Sequence, residues 1–383
     1  MAEAVEAVEA VEAVEAGEAV EAVEAGGREG GGILAPLSGL MARRIAQERS
    51  GSVVVRDPEF VRRLVGPVGR CMRYFSPEVR GVENLPETGP VLVVGNHSCL
   101  FYMPDTWVVA LAITARRGVE APAYALVYDL LLGIPGLGEV LRRLGGVPAE
   151  GKEAERVLAE QAAVLVYPGG DREACRPWTD RNRIVFSGHN GFIRLALRSG
   201  VPVVPVVGYG SHDAVIVLSR GERLARVLGL ERLRIKVFPI VLGPLGVSSI
   251  LTLPMPSAVT VEFLAPIDWS GRGPEAAEDD AVVDACYDEI TGVMQEALDR
   301  LHAERPHPLR RGISSLLRTV AGSCVGPGAD GAEEGRTTLG ETATTSDNDG
   351  DARGSTNSWW SSIRGRRLCR PRPGDVGTGA GRG

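Results

Sequence analysis

The stretch Val91-Leu-Val-Val-Gly-Asn-His-Ser98 decides the fold class of this 383-residue chain. Its first four residues form an unbroken apolar run, which predicts a strand that is buried on both faces, as in a parallel sheet. Glycine and polar residues follow at once, so we expect the strand to end at Gly95. Loops after the carboxyl ends of such strands carry the reactive side chains of α/β proteins, which makes His97 the first candidate for chemistry.

Apolar runs of the same kind recur along the chain and alternate with segments of helical periodicity. We predict strands at 91–95, 163–167, 201–208, 234–241 and 259–263, and helices at 106–116, 151–161, 191–199 and 275–305. Alternating strands and helices are typical of a largely parallel sheet covered by helices. The expected fold class is a single α/β domain with a central, mainly parallel sheet that is flanked by helices.

The two ends of the chain differ from this middle part. Residues 1–32 are almost entirely Ala, Val, Glu and Gly, and residues 309–383 are rich in Gly, Ser, Thr, Arg and Asp. Such segments bury too little apolar surface to offset the entropy of ordering the chain. We therefore expect a disordered acidic repeat over 1–32, a helical segment over 33–80, one domain with a C-terminal helix over 81–308, and a disordered tail over 309–383.

The composition argues against several classes of protein. The net charge of −7 owes much to the N-terminal glutamates, and we expect no nucleic-acid partner. The six cysteines are scattered without a Cys-x-x-Cys pair, so we expect neither a zinc site nor disulfides. No stretch offers the roughly 20 uninterrupted apolar residues of a transmembrane helix. If the protein meets a membrane, we expect it to lie on the membrane surface.

Asp105 follows His97 closely and stands near the start of the next predicted helix. A carboxylate beside an imidazole fixes its tautomer and keeps the other ring nitrogen basic toward a hydroxyl group. A histidine that is merely hydrogen-bonded at the end of a strand explains the same residues. The pair alone does not decide between these two interpretations.

The second cluster, Tyr167-Pro-Gly-Gly-Asp-Arg-Glu173, also follows an apolar strand. Its two glycines allow the backbone to bend sharply or to approach a ligand closely. Arg172 could present its planar guanidinium to a phosphate or to an ester oxygen. A tight turn with solvated charges is the alternative interpretation of this cluster.

A third cluster, over residues 191–206, contains a predicted helix and a buried strand that is interrupted by Pro205. Taken in order, the three clusters resemble the sequence blocks of the glycerolipid acyltransferase family. That family includes bacterial lysophosphatidate acyltransferases and their neutral-lipid relatives. The resemblance covers roughly residues 78–270, and several blocks in the right order are far more specific than any one of them.

This resemblance implies a direct acyl transfer from acyl-CoA, or from an acyl carrier, to the hydroxyl group of a glycerolipid. His97 is then the general base, and Asp105 orients it. The family's pattern further implies that the substrates are bound by Asn96, Ser98, Gly169, Gly170, Arg172, Glu173 and Pro205. It implies no metal and no cofactor other than the acyl donor as co-substrate. The expected location is peripheral, on the cytoplasmic face of a membrane.

The chain also differs from the family's usual blocks. Seven residues separate His97 from Asp105, and this longer loop must fold back for the two side chains to meet. Gly169-Gly-Asp-Arg172 stands where the family usually has Glu-Gly-Thr-Arg, which favours a neutral acceptor such as diacylglycerol over lysophosphatidate. The alternative function is a catalytically silent lipid-binding protein on the same fold. We interpret the apolar segment 238–256 as a lipid-facing loop and 127–138 as a lining of the acyl pocket.

Overall fold

The computed structural model describes residues 56–98, 102–227, 237–248 and 252–324. The strands within these residues are β1 (Glu78–Arg80), β2 (Val91–Gly95), β3 (Ala123–Val127), β4 (Gly146–Pro148), β5 (Ala163–Val166), β6 (Val203–Tyr209), β7 (Ile216–Ser219), β8 (Ile240–Gly243), β9 (Gly246–Ser248) and β10 (Thr260–Phe263). The helices are α1 (Pro58–Met72), α2 (Pro104–Arg117), α3 (Asp129–Leu132), α4 (Leu137–Leu144), α5 (Gly151–Ala159), α6 (Gly170–Ala174), α7 (Gly191–Ser199), α8 (Glu222–Val227), α9 (Asp280–Glu304) and α10 (Pro308–Cys324).

Strand β2 occupies the middle of the main sheet. Among the described residues this sheet has seven strands in the order β1-β10-β6-β2-β5-β3-β4. Neighbouring strands run parallel, except that β10 and β6 are antiparallel. All five residues of β2 are buried, as its unbroken apolar sequence requires. Because β2 pairs with β5 on one side and β6 on the other, the carboxyl ends of these three strands lie at one edge of the sheet.

Helices cover both faces of this sheet. Alternate residues of a strand point to opposite faces, and β5 illustrates the two environments. Val164 lies in the main apolar core, to which α5, α7 and α9 contribute fully buried residues such as Ile193 and Ile290. Leu165 instead lines an apolar cavity together with residues of α1 and α2. Within the described part of the chain, no helix has both the length and the hydropathy needed to cross a bilayer.

A second, smaller sheet follows β6. In the described residues it has three antiparallel strands in the order β7-β8-β9, and a tight turn joins β8 to β9 as a hairpin. Its own apolar core consists of Val215, Val217 and Val241, against which the ring of Tyr102 packs. This sheet therefore contacts the segment of chain that leads into α2.

The expected fold class is confirmed, because the central sheet is mainly parallel and flanked by helices. The strand that we expected at 234–241 is β8, which begins only at Ile240 and belongs to the smaller sheet. The tail that we expected from 309 onward begins with α10, an ordered helix that packs against the backbone of Pro256. Residues 1–55, with the acidic repeat, and 325–383 lie outside the described residues.

Candidate active site

Three loops meet where β5, β2 and β6 end side by side. Val94 of β2 pairs with Val166 of β5 and with Pro205 of β6, so the residues that follow these strands become neighbours. His97 follows β2, Tyr167 follows β5, and His212 lies in a short 3-10 turn after β6. Residues that are far apart in sequence thus come together at one sheet edge, the position expected for a binding site.

The imidazole of His97 stacks on the ring of Tyr167. The ring centroids are 4.7 Å apart, and the planes are inclined by 22°. The Tyr167 ring fits here because residue 95 is a glycine. A Cβ atom on Gly95 would lie only 2.5 Å from Cε1 of Tyr167. The glycine at the end of β2 is therefore required by packing at the site.

A buried ion pair holds the backbone of His97 from both sides. The N–H of His97 donates to the Glu173 carboxylate at 2.7 Å, and its carbonyl oxygen accepts from Nη1 of Arg176 at 3.0 Å. Nη1 of Arg176 lies 3.3 Å from the same carboxylate, and both side chains are essentially inaccessible to solvent. Burial raises the pKa of Glu173 to about 7 and lowers the pKa of Arg176. We call the pair Glu173–Arg176 the backbone clamp of His97.

Local sequence makes this clamp possible. Glu173 and Arg176 are three residues apart, and Glu173 lies in the short helix α6 that follows Gly169. A Cβ atom on Gly169 would lie 2.3 Å from the Glu173 carboxylate, so only glycine lets that side chain fold back toward β2. The second oxygen of Glu173 accepts the N–H of Val185 at 3.0 Å. Glu173 is thus occupied by the protein's own backbone.

Asp105 lies in the first turn of α2 and is buried against β6. Its Cβ would be 3.1 Å from a Cβ on Gly208, and the amide of Asn96 both donates to and accepts from the backbone of the same glycine. Burial raises the pKa of Asp105 to about 7, while the Thr106 amide and the Ser98 hydroxyl oppose the rise. Among the described residues no hydrogen bond joins Asp105 to His97.

Two histidines, His97 and His212, lie close together at this site. Burial lowers the pKa of His97 to about 4, with a further contribution from Arg176. Burial lowers the pKa of His212 well below its usual value, and the positive charge of Arg176 and the proximity of His97 lower it further. Both imidazoles are therefore neutral near pH 7, and a neutral imidazole is a proton acceptor.

The site concentrates polar atoms that are buried but have no hydrogen-bond partner. Among the described residues they are His97 Nδ1, both oxygens of Asp105, Thr106 Oγ1, Tyr167 Oη, Arg176 Nε, Ser211 Oγ and both ring nitrogens of His212. Leaving one such group unpaired costs about 1–3 kcal/mol, so a cluster of them is not a feature of structural packing. Such a cluster is expected where water or a polar ligand supplies the missing hydrogen bonds.

The other residues expected from the sequence lie around this cluster. Ser98 is buried, and Gly170 adopts a left-handed backbone with φ of +50°, which favours glycine. Pro205 lies inside β6, and its carbonyl oxygen accepts the N–H of Leu264 at 2.9 Å. Arg172 is exposed on α6 and makes no ion pair among the described residues.

Sequence reasoning missed Arg176 and His212, and it assigned no role to Tyr167. The signal for Arg176 was its spacing from Glu173, which places the two on adjacent turns. The signal for His212 was that it follows a strand predicted to run parallel to β2. The burial of Arg176 is not expected from the sequence, because an arginine is almost never fully buried unless it is paired with an acidic residue.

An apolar cavity of about 110 Å³ lies between α1, α2 and β3. Its lining includes Trp107 and Ala110 of α2, Leu64 of α1 and Leu165 of β5. Two of these elements, α2 and β5, also lead to polar residues of the site. Asp105 lies in the first turn of α2, and Tyr167 directly follows β5. The segment 127–138 does not line this cavity.

The chain is similar to several known proteins. The family model described as "Acyltransferase" matches residues 76–208, which include His97, Asp105 and the clamp. An uncharacterized protein of Mycobacterium tuberculosis is 30% identical over 276 residues, which are 71% of this chain and 75% of that protein. The chloroplastic phytyl ester synthase 2 of Arabidopsis thaliana is 30% identical over 155 residues, 39% of this chain and 22% of that enzyme. The crystal structure of the 1-acyl-sn-glycerophosphate acyltransferase PlsC from Thermotoga maritima covers 65% of this chain and 85% of its own, at 20% identity and a TM-score of 0.40.

Proposed function

This chain belongs to the glycerolipid acyltransferase family, and on that premise we propose that it transfers a fatty acyl group from acyl-CoA to the hydroxyl of a glycerolipid or a related alcohol. His97 is the general base of this reaction. The observation that carries the proposal is the cluster of unpartnered, buried polar atoms around His97 at the carboxyl end of β2. A hydroxyl group and a thioester carbonyl supply the donors and acceptors that this cluster lacks.

The proposed reaction needs no covalent acyl-enzyme. The acceptor hydroxyl gives its proton to the neutral imidazole of His97 while its oxygen attacks the thioester carbonyl carbon. The carbon–sulfur bond breaks, and the thiolate of CoA leaves and takes up the proton from His97. Asp105, when ionised, stabilises the imidazolium that forms between these two proton transfers.

The clamp gives His97 the fixed position that this step requires. A general base must lie within hydrogen-bond reach of the proton that it abstracts, and small displacements are costly in rate. The N–H and the carbonyl of His97 are both held by buried charged groups, at 2.7 and 3.0 Å. Glu173 and Arg176 are therefore positioning residues, since they touch the backbone of His97 and each other.

The fatty acyl chain is proposed to occupy the apolar cavity between α1 and α2. Its walls are apolar and come from elements that also carry Asp105 and Tyr167. Each CH₂ group transferred into such a cavity contributes about 0.8 kcal/mol. The 110 Å³ cavity would hold a part of the chain that lies beyond the thioester.

The acceptor is proposed to be a neutral alcohol such as diacylglycerol. Glu173 is used internally by the clamp, and Arg172 is exposed to solvent. The relative named phytyl ester synthase 2 is by its name a maker of esters, which is consistent with acceptors that lack phosphate. We further propose a peripheral location on the cytoplasmic face of a membrane.

A second candidate function is lipid binding without catalysis. It is favoured by one observation, that no hydrogen bond joins His97 to Asp105 among the described residues. The two functions differ in turnover. A binding protein would retain acyl-CoA or a glycerolipid but release no free CoA in the presence of both.

The test is an acyl-transfer assay with labelled acyl-CoA and a panel of lysophosphatidate, monoacylglycerol, diacylglycerol and a long-chain alcohol. We expect His97→Ala to reduce transfer at least about 100-fold while the protein stays folded, since general-base catalysis contributes about 10²–10⁴-fold. His307→Asn, at an exposed histidine, is the control and should leave the rate unchanged. Near-normal transfer by the His97 variant would contradict the mechanism, and use of lysophosphatidate alone would contradict the neutral acceptor.

A further inference from the structure

The β8–β9 hairpin exposes apolar side chains that the rest of the fold leaves uncovered. Leu245 and Val247 are 70% and 65% exposed. Further exposed side chains of the smaller sheet and the segment after it are Leu218, Leu242 and Leu253. From Val237 to Val261 the sequence has no ionisable side chain. A patch of this kind on a protein surface marks a site of contact with lipid or with another molecule.

Helix α10 lies next to the base of this hairpin. A Cβ atom on Gly243 of β8 would lie 1.8 Å from Oγ1 of Thr252, and a Cβ atom on Gly312 of α10 would lie 1.9 Å from the carbonyl oxygen of Pro256. Only four residue steps separate Thr252 from Pro256, and four extended residues span at most about 14 Å. The hairpin base and the start of α10 are therefore neighbours on the surface.

Helix α10 combines exposed apolar residues with positive charge. Ile313 and Leu317 are exposed. The exposed arginines of the helix are Arg310, Arg311 and Arg318. No acidic residue occurs between Arg305 and Ala329. A basic amphipathic helix is typical of segments that lie in the interface of an anionic bilayer, where each arginine contributes about 1 kcal/mol of attraction.

We propose that the β8–β9 hairpin, Leu253 and α10 form a lipid-docking surface that binds an anionic phospholipid bilayer. The absence of charge on the hairpin suits insertion among acyl chains, and the arginines of α10 suit the headgroups beside it. This charge complementarity favours an anionic bilayer over a second copy of the chain, because two copies of the basic helix α10 that meet face to face repel each other.

The lipid-docking surface is connected to the candidate active site. Tyr102, three residues before Asp105, packs on the core of the smaller sheet and donates its hydroxyl hydrogen to the carbonyl of Thr252. A bilayer on this surface would thus lie near Tyr102, which precedes Asp105 in the chain. That the bilayer delivers the acceptor to His97 rests on the proposed function; the binding itself does not.

The first experiment measures binding of the full chain to vesicles by co-sedimentation. Vesicles of phosphatidylcholine alone are compared with vesicles that contain phosphatidylglycerol. We expect the double variant Leu245→Asp/Val247→Asp to bind at least about 100-fold more weakly to both kinds of vesicle, because it lacks the two aliphatic side chains that would insert into the bilayer. Val293→Asp, at an exposed valine on α9, is the matched control and should bind like the wild type.

The arginines are tested separately. The triple variant Arg310→Ala/Arg311→Ala/Arg318→Ala should lose about 100-fold in binding to anionic vesicles and less than about threefold to neutral ones. Raising the salt concentration should weaken the wild type on anionic vesicles and leave this variant nearly unaffected. Equal binding of wild type and both variants to every vesicle would overturn the proposal.

Oligomeric state and activity separate the remaining outcomes. If light scattering shows that the wild type is a dimer and the hairpin variant a monomer, the surface joins two copies and the proposal is wrong. With short-chain substrates that are dissolved as monomers, the hairpin variant should match the wild type, whereas with substrates in vesicles it should be at least tenfold slower. Absence of transfer by the wild type in both formats would contradict the proposed function, while vesicle binding would still decide on the docking surface.

Discussion

Replacing Glu173 by glutamine removes one charge from the backbone clamp and keeps the size of the side chain. The carboxylate accepts N–H groups from His97 at 2.7 Å and from Val185 at 3.0 Å, and it faces Nη1 of Arg176 at 3.3 Å. Glutamine turns one of the two acceptor oxygens into an NH₂ group that faces a backbone N–H. It also leaves the buried guanidinium without its counter-ion.

The cost follows from these contacts. A hydrogen bond to a charged group contributes about 1.5–3 kcal/mol, and removing one partner of a buried ion pair costs about 3–5 kcal/mol in all. We expect the free energy of unfolding to fall by about 4 kcal/mol. For a domain of this size each kcal/mol lowers Tm by about 2–4 °C, so Tm should fall by about 8–16 °C. Acyl transfer should fall as well, because His97 loses one of its two backbone contacts.

The assay is urea unfolding at pH 8, and the chain supplies a matched control. Glu153 and Arg156 have the same spacing of three residues and a distance of 2.9 Å, but their side chains are 31% and 37% exposed. Glu153→Gln should therefore cost no more than about 0.5 kcal/mol. Adding Arg176→Met to the Glu173 variant should recover part of the loss, since the unpaired charge is then absent. If Glu173→Gln costs no more than Glu153→Gln, the clamp does not hold His97 as described.

Three further changes test other parts of the site. Since burial raises the pKa of Asp105 to about 7, kcat/KM should rise as the pH passes through about 7, and Asp105→Asn should lose that limb; a limb that persists in the variant would refute the role of Asp105. Ala110→Phe should narrow the apolar cavity and lower the kcat/KM ratio of long over medium acyl-CoA about tenfold, whereas Val293→Phe on the surface should not change it. Gly95→Ala should destabilise the protein by about 1–3 kcal/mol in thermal unfolding, because the added Cβ would lie 2.5 Å from the Tyr167 ring. Adding Tyr167→Leu to this variant should recover part of the lost stability. Equal Tm values for the wild type and Gly95→Ala would contradict the contact.

The central strands could be predicted because strands that are buried on both faces consist almost entirely of apolar residues. β2 and β5 are covered by helices on both faces, so every residue must be apolar, and an unbroken run follows. β3 could not be predicted in this way. Its five residues are only half-buried near the edge of the sheet, and β4 has just three residues, so neither leaves a clear pattern.

Only those residues of the site that directly follow a predicted strand could be identified from the sequence. His97 and the turn from Tyr167 to Glu173 each follow an apolar run directly, so local sequence identifies them. The inward turn of Glu173 depends on contacts with His97 and Val185, which are distant in sequence. His212 becomes a neighbour of His97 only through the pairing of β6 with β2, a property of the tertiary structure.

The shifted pKa values of His97 and Asp105 determine when His97 can act as a base. Burial lowers the pKa of His97 to about 4 and raises that of Asp105 to about 7, so near neutral pH the imidazole is neutral and Asp105 is only partly ionised. The imidazole can accept a proton from a hydroxyl group, but the resulting imidazolium would lie buried beside the positive charge of Arg176. An ionised Asp105 offsets that charge. The state that is competent for catalysis is therefore the one in which Asp105 has lost its proton, and a higher pH favours this state. A bound acceptor favours it as well if the acceptor hydroxyl donates a hydrogen bond to one of the unpartnered oxygens of Asp105.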